Sequence, residues 1–287
     1  MNFTRTPGGL AEKWRFYRIP TLWVEGVTDI FFFEPLISDL ECRIEPFHGN
    51  TNAKALIEAL VKNDYPYVIV LDGDYQMLSG AQLSHNRLIV LNRYSFENYL
   101  WEKEPLNRAC LRHGQNGERV DIIGAEFDRL TSQIEKLLRK AVEADVAARR
   151  CDSAPKVLPD RVEILLKRPD EPDLDPPRIA SLVAPAKRSI PSKQLRSSKK
   201  DVALFLRERR LVDLLKGHLV FGMLRLLFTK VTRKLRGAKS IVPDDALIQL
   251  IADMVWRKSP SKDHRLLKRR VRRTVKDLLP HFAVITK

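Results

Sequence analysis

Two hydrophobic periods divide this chain. In its first third, short apolar runs are closed by turn residues: Leu22 to Val24, Val68 to Leu71 and Leu88 to Leu91. Runs of this length, rich in β-branched residues, predict buried strands of a parallel sheet. Strands are expected at about 21–25, 42–47, 67–72 and 87–91. Between them, Ile30, Phe31, Phe33, Leu36 and Ile37 recur at helical spacing, as do Ala53, Leu56, Ile57, Leu60 and Val61, predicting helices over about 28–39 and 52–63. A β-α-β-α-β order with short connections implies right-handed crossovers. Trp14, Phe16, Tyr17 and Ile19 precede Pro20 as a lead-in expected to pack on the sheet edge.

Later the period is helical. Ile122, Phe127, Leu130, Ile134, Leu138 and Val142 predict one long helix over 121–149. Residues 153–196 hold eight of the 17 prolines and predict a long loop, broken only by a short helix near 161–168. Helices are expected again at about 201–215, 217–235, 244–257 and 262–279. The last has Leu267, Val271, Val275 and Leu278 on one stripe and seven Lys/Arg between 265 and 276 with no acid among them. The fold class expected is α/β: a parallel sheet flanked by helices in residues 1–105, then a mostly α-helical basic domain in 106–287. No internal repeat is visible.

Charge sharpens this division. The net charge is +15, with residues 1–105 at −4 and residues 106–287 at +19. A basic field of that size attracts polyanions. Of 287 residues 44% are apolar, enough for a substantial core. The three cysteines, Cys42, Cys110 and Cys151, have no C-x-x-C spacing, which argues against a zinc ribbon or a disulfide framework and predicts a reducing cytoplasm. Met1 to Gly9 has no apolar core of a signal peptide. Leu219 to Phe228 is too short to span a bilayer and contains Arg225. No membrane association is expected.

The candidate chemistry lies at the strand ends. Glu25 closes the first predicted strand and Asp29 follows it into the next helix. Asp72 and Asp74 close the third strand. In open α/β sheets ligands bind beyond the carboxyl ends of the strands. Like charges gathered there raise each other's pKa, a cost that a divalent cation removes. Mg²⁺ suits such hard oxygen donors, and a pair of such ions can clamp both oxygens of a phosphodiester in displacement. His48 closes the second strand and reads as a polar loop residue.

This pattern resembles the TOPRIM domain, which carries a glutamate after its first strand and Asp-x-Asp after a later one. Glu25-Gly-Val-Thr-Asp29 resembles the Glu-Gly-x-x-Asp of OLD-type TOPRIM nucleases, and the resemblance covers roughly residues 18–105. It implies Glu25, Asp72 and Asp74 as catalytic residues, and Glu25, Asp29, Asp72, Asp74 and Glu97 as ligands of Mg²⁺ or Mn²⁺. Glu97 lies in Arg93-Tyr-Ser-Phe-Glu97-Asn-Tyr-Leu100, where Arg93 and Ser95 are expected phosphate contacts. Lys268, Arg269, Arg272 and Arg273 are expected to grip the nucleic-acid backbone.

In a stand-alone chain of this length, these motifs look like TOPRIM effectors of phage-defence systems, the AriB type of PARIS systems above all. That likeness implies a metal-dependent nuclease cutting RNA, with tRNA the expected target. It also implies a separate ABC-type, OLD-like ATPase that restrains the effector until infection. No G-x-x-x-x-G-K-[ST] occurs, so any ATPase must be another chain. A homodimer is compatible with these features. One alternative is an OLD-type DNA endonuclease; a non-enzyme alternative is a basic nucleic-acid-binding or adaptor protein on a decayed TOPRIM fold.

Overall fold

The computed structural model describes residues 6–78, 85–114, 120–151, 156–238 and 241–283. The chain is α/β and mostly helical. It forms two compact units, one of Met1–Gly73, Ala81–Asn92 and Pro243–Lys287, the other of Asp74–Gly80 and Arg93–Val242.

The first unit contains a sheet of four parallel strands: β1 (Thr21–Val24), β2 (Arg43–Pro46), β3 (Tyr67–Leu71) and β4 (Leu88–Val90), in the order β2-β1-β3-β4. Trp23 pairs with Glu45 on one side and Ile69 on the other, and Val70 pairs with Ile89. Every residue of β1 is buried, as expected of a strand covered on both faces. Helices α2 (Val27–Ile37) and α3 (Asn50–Asn63) follow β1 and β2 as predicted. The lead-in forms α1 (Pro7–Ala11) and a 3₁₀ turn, and α1 packs on α3.

Two C-terminal helices belong to this same unit: α11 (Asp244–Lys258) and α12 (Lys262–Ala283). The division therefore does not follow the boundary expected at residue 105. Helix α11 joins this unit by packing on α2. The Phe32 carbonyl of α2 accepts from Trp256 Nε1 of α11 at 2.7 Å, with the two rings 4.9 Å apart. The α12 stripe of Leu267, Val271, Val275 and Leu278 is buried as predicted.

The second unit is helical. It comprises α4 (Glu97–Leu100), α5 (Lys103–His113), α6 (Gly124–Gln133), a π-helical turn (Ile134–Leu138) and α7 (Arg139–Arg149). Then come α8 (Pro176–Ser189), α9 (Ser192–Phe205) and α10 (Gly217–Arg236). Of the stretch expected to be a loop over 153–196, the part from Pro176 onward is helical, whereas 156–175 is irregular apart from a short 3₁₀ turn at Val162–Leu165; residues 153–155 lie outside the described residues. The prolines do not prevent this helix, because their position matters more than their number. Pro176 and Pro177 occupy the first turn of α8, where a missing N–H costs nothing, and Asp175 caps it by accepting from Arg178 N at 3.4 Å. Ile179, Val183 and Ala186 of α8 are buried, which holds the helix through Pro185. The helix expected over 201–215 is the end of α9 followed by a 3₁₀ turn, Leu211–Leu214.

Candidate functional site

Within the sheet, β1 connects towards β2 on one side, whereas β3 and β4 lie on the other. The order therefore reverses between β1 and β3, which defines a topological switch point at their carboxyl ends. Glu25 follows β1 directly and Asp72 follows β3 directly, and both are half-buried. With Trp23 level with Ile69, Glu25 leaves the sheet level with Leu71, one residue before Asp72. Neighbouring strands are only about 4.8 Å apart.

Asp29 is buried in the first turn of α2 and accepts a hydrogen bond from Gly26 N at 3.1 Å. Its carboxylate closes the β1–α2 turn and faces the positive end of the helix dipole. After β2, His48 lies exposed at φ 53° and Gly49 at φ 91°, a value only glycine adopts freely. Asn52 Nδ2 donates to Phe47 O at 2.6 Å and to His48 O at 3.2 Å, holding this turn.

Asp74 and Glu97 belong to the second unit. Asp74 has φ 44°, donates its N–H to Tyr94 O at 2.8 Å, and has Arg149 Nη2 4.0 Å from its carboxylate. Both side chains of that pair are about half exposed, 54% and 48%, so its contribution is small. Left-handed φ at His48 and Asp74 is strain of a kind that collects at functional turns, although His and Asp tolerate it better than most residues.

Glu97 is buried in the short helix α4. Burial pushes its carboxyl above the ordinary range, opposed by the neighbouring Ser95 hydroxyl, its own backbone N–H and the charge of His218. His218 Nδ1 lies 3.9 Å away with its ring exposed. Gly217 starts α10 against this group: a Cβ there would lie 2.2 Å from Ser95 Oγ and 2.3 Å from Glu97 Oε2. Among the described residues, no three His, Cys, Asp or Glu side chains form a group placed to hold a metal ion.

Several expected substrate contacts are occupied by the fold. Arg93 is 2% exposed; it donates to Asn98 O at 2.8 Å and Glu102 Oε1 at 3.2 Å, and stacks 4.6 Å from the Tyr99 ring centroid. Ser95 is buried and donates both N–H and Oγ–H to Asn98 Oδ1. Asn98 Nδ2 in turn donates to Val212 O and Leu215 O. These residues tie α4 to the segment before α10, so neither Arg93 nor Ser95 is placed to meet a phosphate.

On α12, Lys268 donates to Trp256 O at 2.9 Å. Arg272 forks onto Asp39 at 2.5 and 2.7 Å and also donates to Leu36 O at 2.9 Å. Both line a polar cavity of about 520 Å³ among α2, α11 and α12. They clamp the helix to its own unit. Arg269 and Arg273 are exposed, and Arg273 lies 3.7 Å from Asp277 one turn on.

A different stretch carries uncommitted charge. Residues 176–200 contain no acid, and Lys187, Arg188, Lys193, Arg196, Lys199 and Lys200 on α8 and α9 are all exposed. None forms an ion pair among the described residues. The sequence held the signal, an acid-free basic run, but a loop reading gave it no surface to lie on. Burial pushes the Cys42 and Cys110 thiols up to about 12, which removes both as nucleophiles at neutral pH.

Comparison of the chain with protein families and with curated proteins finds no match. Among the described residues no helix is long and apolar enough to cross a membrane.

Proposed function

We propose that this chain is a metal-dependent phosphodiesterase acting on nucleic acid, of TOPRIM type. The observation that carries the reading is the placement of Glu25 and Asp72 at the ends of the two strands that flank the switch point. Their chemistry fits a hard cation: Mg²⁺ binds protein through as few as one or two carboxylates and takes its other ligands from water and substrate phosphate. Such an ion would supply charge neutralisation at the phosphate and an acidified water. Glu25 and Asp72 would hold it, and Asp29 would fix the turn that carries Glu25 through its bond to Gly26.

The exposed cations of α8 and α9 support the nucleic-acid part of the reading, because unpaired Lys and Arg meet a phosphate backbone without first breaking an ion pair. The finer reading follows the same resemblance. The chain would be an AriB-type effector of anti-phage defence, cutting RNA with tRNA foremost, and held inactive by a separate ATPase until infection.

The test is purified protein incubated with RNA and with DNA in Mg²⁺, in Mn²⁺ and in EDTA, beside Glu25→Ala and Asp72→Ala, with the cleaved ends sequenced. Metal-dependent cleavage lost in both variants, with melting unchanged, is the expected result. Full activity of Asp72→Ala, or cleavage that persists in EDTA, overturns the metal reading. Cut DNA with intact RNA makes the enzyme an OLD-type DNA endonuclease. Expression without any ATPase should arrest growth of the host; harmless expression of a protein that still binds Mg²⁺ removes the restrained-effector reading.

A further inference from the structure

The second unit carries a groove of about 370 Å³ between α8 and the helix running from the π turn into α7. Its floor is aliphatic: Leu137, Ile179, Ala180, Val183 and Ala184. Its rim is Lys136, Lys140 and Lys187, and no carboxylate lines it. All three lysines are exposed and none forms an ion pair among the described residues. The chain elsewhere matches many of its lysines to acids, such as Lys103 with Asp128 and Lys230 with Glu126.

The π turn explains the apolar floor. Ile134 and Leu138 are buried, four apart, while Leu137 is left half-buried in the groove. An extra residue in the turn shifts the phase of the helix and brings one leucine out of the core; π turns of this kind recur at functional sites. Lys136 and Lys140 are four apart and so share one side of the helix, with Lys187 on α8 opposite.

We propose that this groove docks an acidic amphipathic helix of a partner protein. Charge complementarity and shape argue for it. A partner helix would lay leucine-like side chains on the floor, with carboxylates on both flanks reaching the lysine rims. The lined stretch of α8 from Pro176 to Lys187 is about 16 Å long at 1.5 Å per residue, room for about three turns. Nucleic acid fits the rim but not the floor, which offers no aromatic ring on which a base stacks. The proposal is independent of the metal reading, since its surface lies wholly on the second unit.

The probe is a synthetic helical peptide of about four turns with leucines along one face and glutamates on both flanks. A twin carries lysines in place of the glutamates. Binding to the full chain is read by fluorescence anisotropy. The acidic peptide should bind at least about tenfold more tightly than its twin. Lys136→Glu/Lys140→Glu should remove that preference and turn it towards the twin. Ala184→Glu, an exposed floor position, should abolish binding with the melting temperature unchanged. Equal binding of both peptides to the wild-type chain overturns the proposal. So does displacement of the acidic peptide by single-stranded RNA that itself loses affinity in the Lys136→Glu/Lys140→Glu protein, which makes the groove part of the nucleic-acid surface.

Discussion

At the scale of single residues, position decides what each polar group does. Glu97, Ser95 and Gly217 show how tightly. Any side chain at 217 collides with two buried groups, at 2.2 and 2.3 Å. Gly217→Ala is expected to destabilise by about 1–3 kcal/mol, the usual cost of overpacking, read as a lower urea midpoint. Asp39 gives a pH-dependent case. The Arg272 guanidinium holds its carboxyl down to about 2, from 3.8. A carboxyl with a depressed folded pKa contributes stability above its unfolded pKa, and that contribution disappears as pH falls through the folded value. The gap in melting temperature between wild type and Asp39→Asn should therefore be constant at neutral pH and close between about pH 4 and pH 2. The gap itself should be small, because Asp39 is largely exposed.

At the scale of elements, α8 and α12 reversed the roles expected of them. The proline-rich stretch became a capped helix and supplies both a groove and unpaired cations. Asp175→Ala should cost about 1 kcal/mol as the cap of α8 is removed, and a urea titration measures it. The basic helix α12 became a clamp. Lys268→Gln with Arg272→Gln should lower the melting temperature and leave affinity for RNA within about twofold, because those cations already serve carbonyls and Asp39. An RNA affinity that falls with unchanged melting would return α12 to its expected role.

At the scale of the whole molecule, the charge is less segregated than the linear sequence implies. With α11 and α12 counted in it, the first unit holds nineteen Lys/Arg and fifteen Asp/Glu, +4, and the second unit thirty-two and twenty-one, +11. The larger share of the net positive charge therefore lies on the second unit. Changing Lys193, Arg196, Lys199 and Lys200 to Gln should weaken binding to all RNA sequences alike. It should flatten the slope of log affinity against log salt by about 0.7–0.9 for each phosphate that is no longer neutralised. An unchanged slope would place the phosphate-binding cations elsewhere.

The sequence by itself determined much of the local structure of this protein. Four strands, the two helices between them, the C-terminal helices and the strand-end places of Glu25 and Asp72 were legible, because periodicity and turn chemistry act over a few residues. Only the tertiary structure decided what those elements face. Arg93 and Arg272 read as surface cations, yet each is consumed by carbonyls and carboxylates supplied by other segments. Asn98 bonds to carbonyls 114 and 117 residues away, and Trp256 to one 224 residues away, separations at which no local pattern signals proximity. The helix α8 needed burial of Ile179, Val183 and Ala186 to outweigh Pro185. Such burial depends on which neighbours the folded chain brings alongside, and that information is held in packing, not in spacing along the sequence.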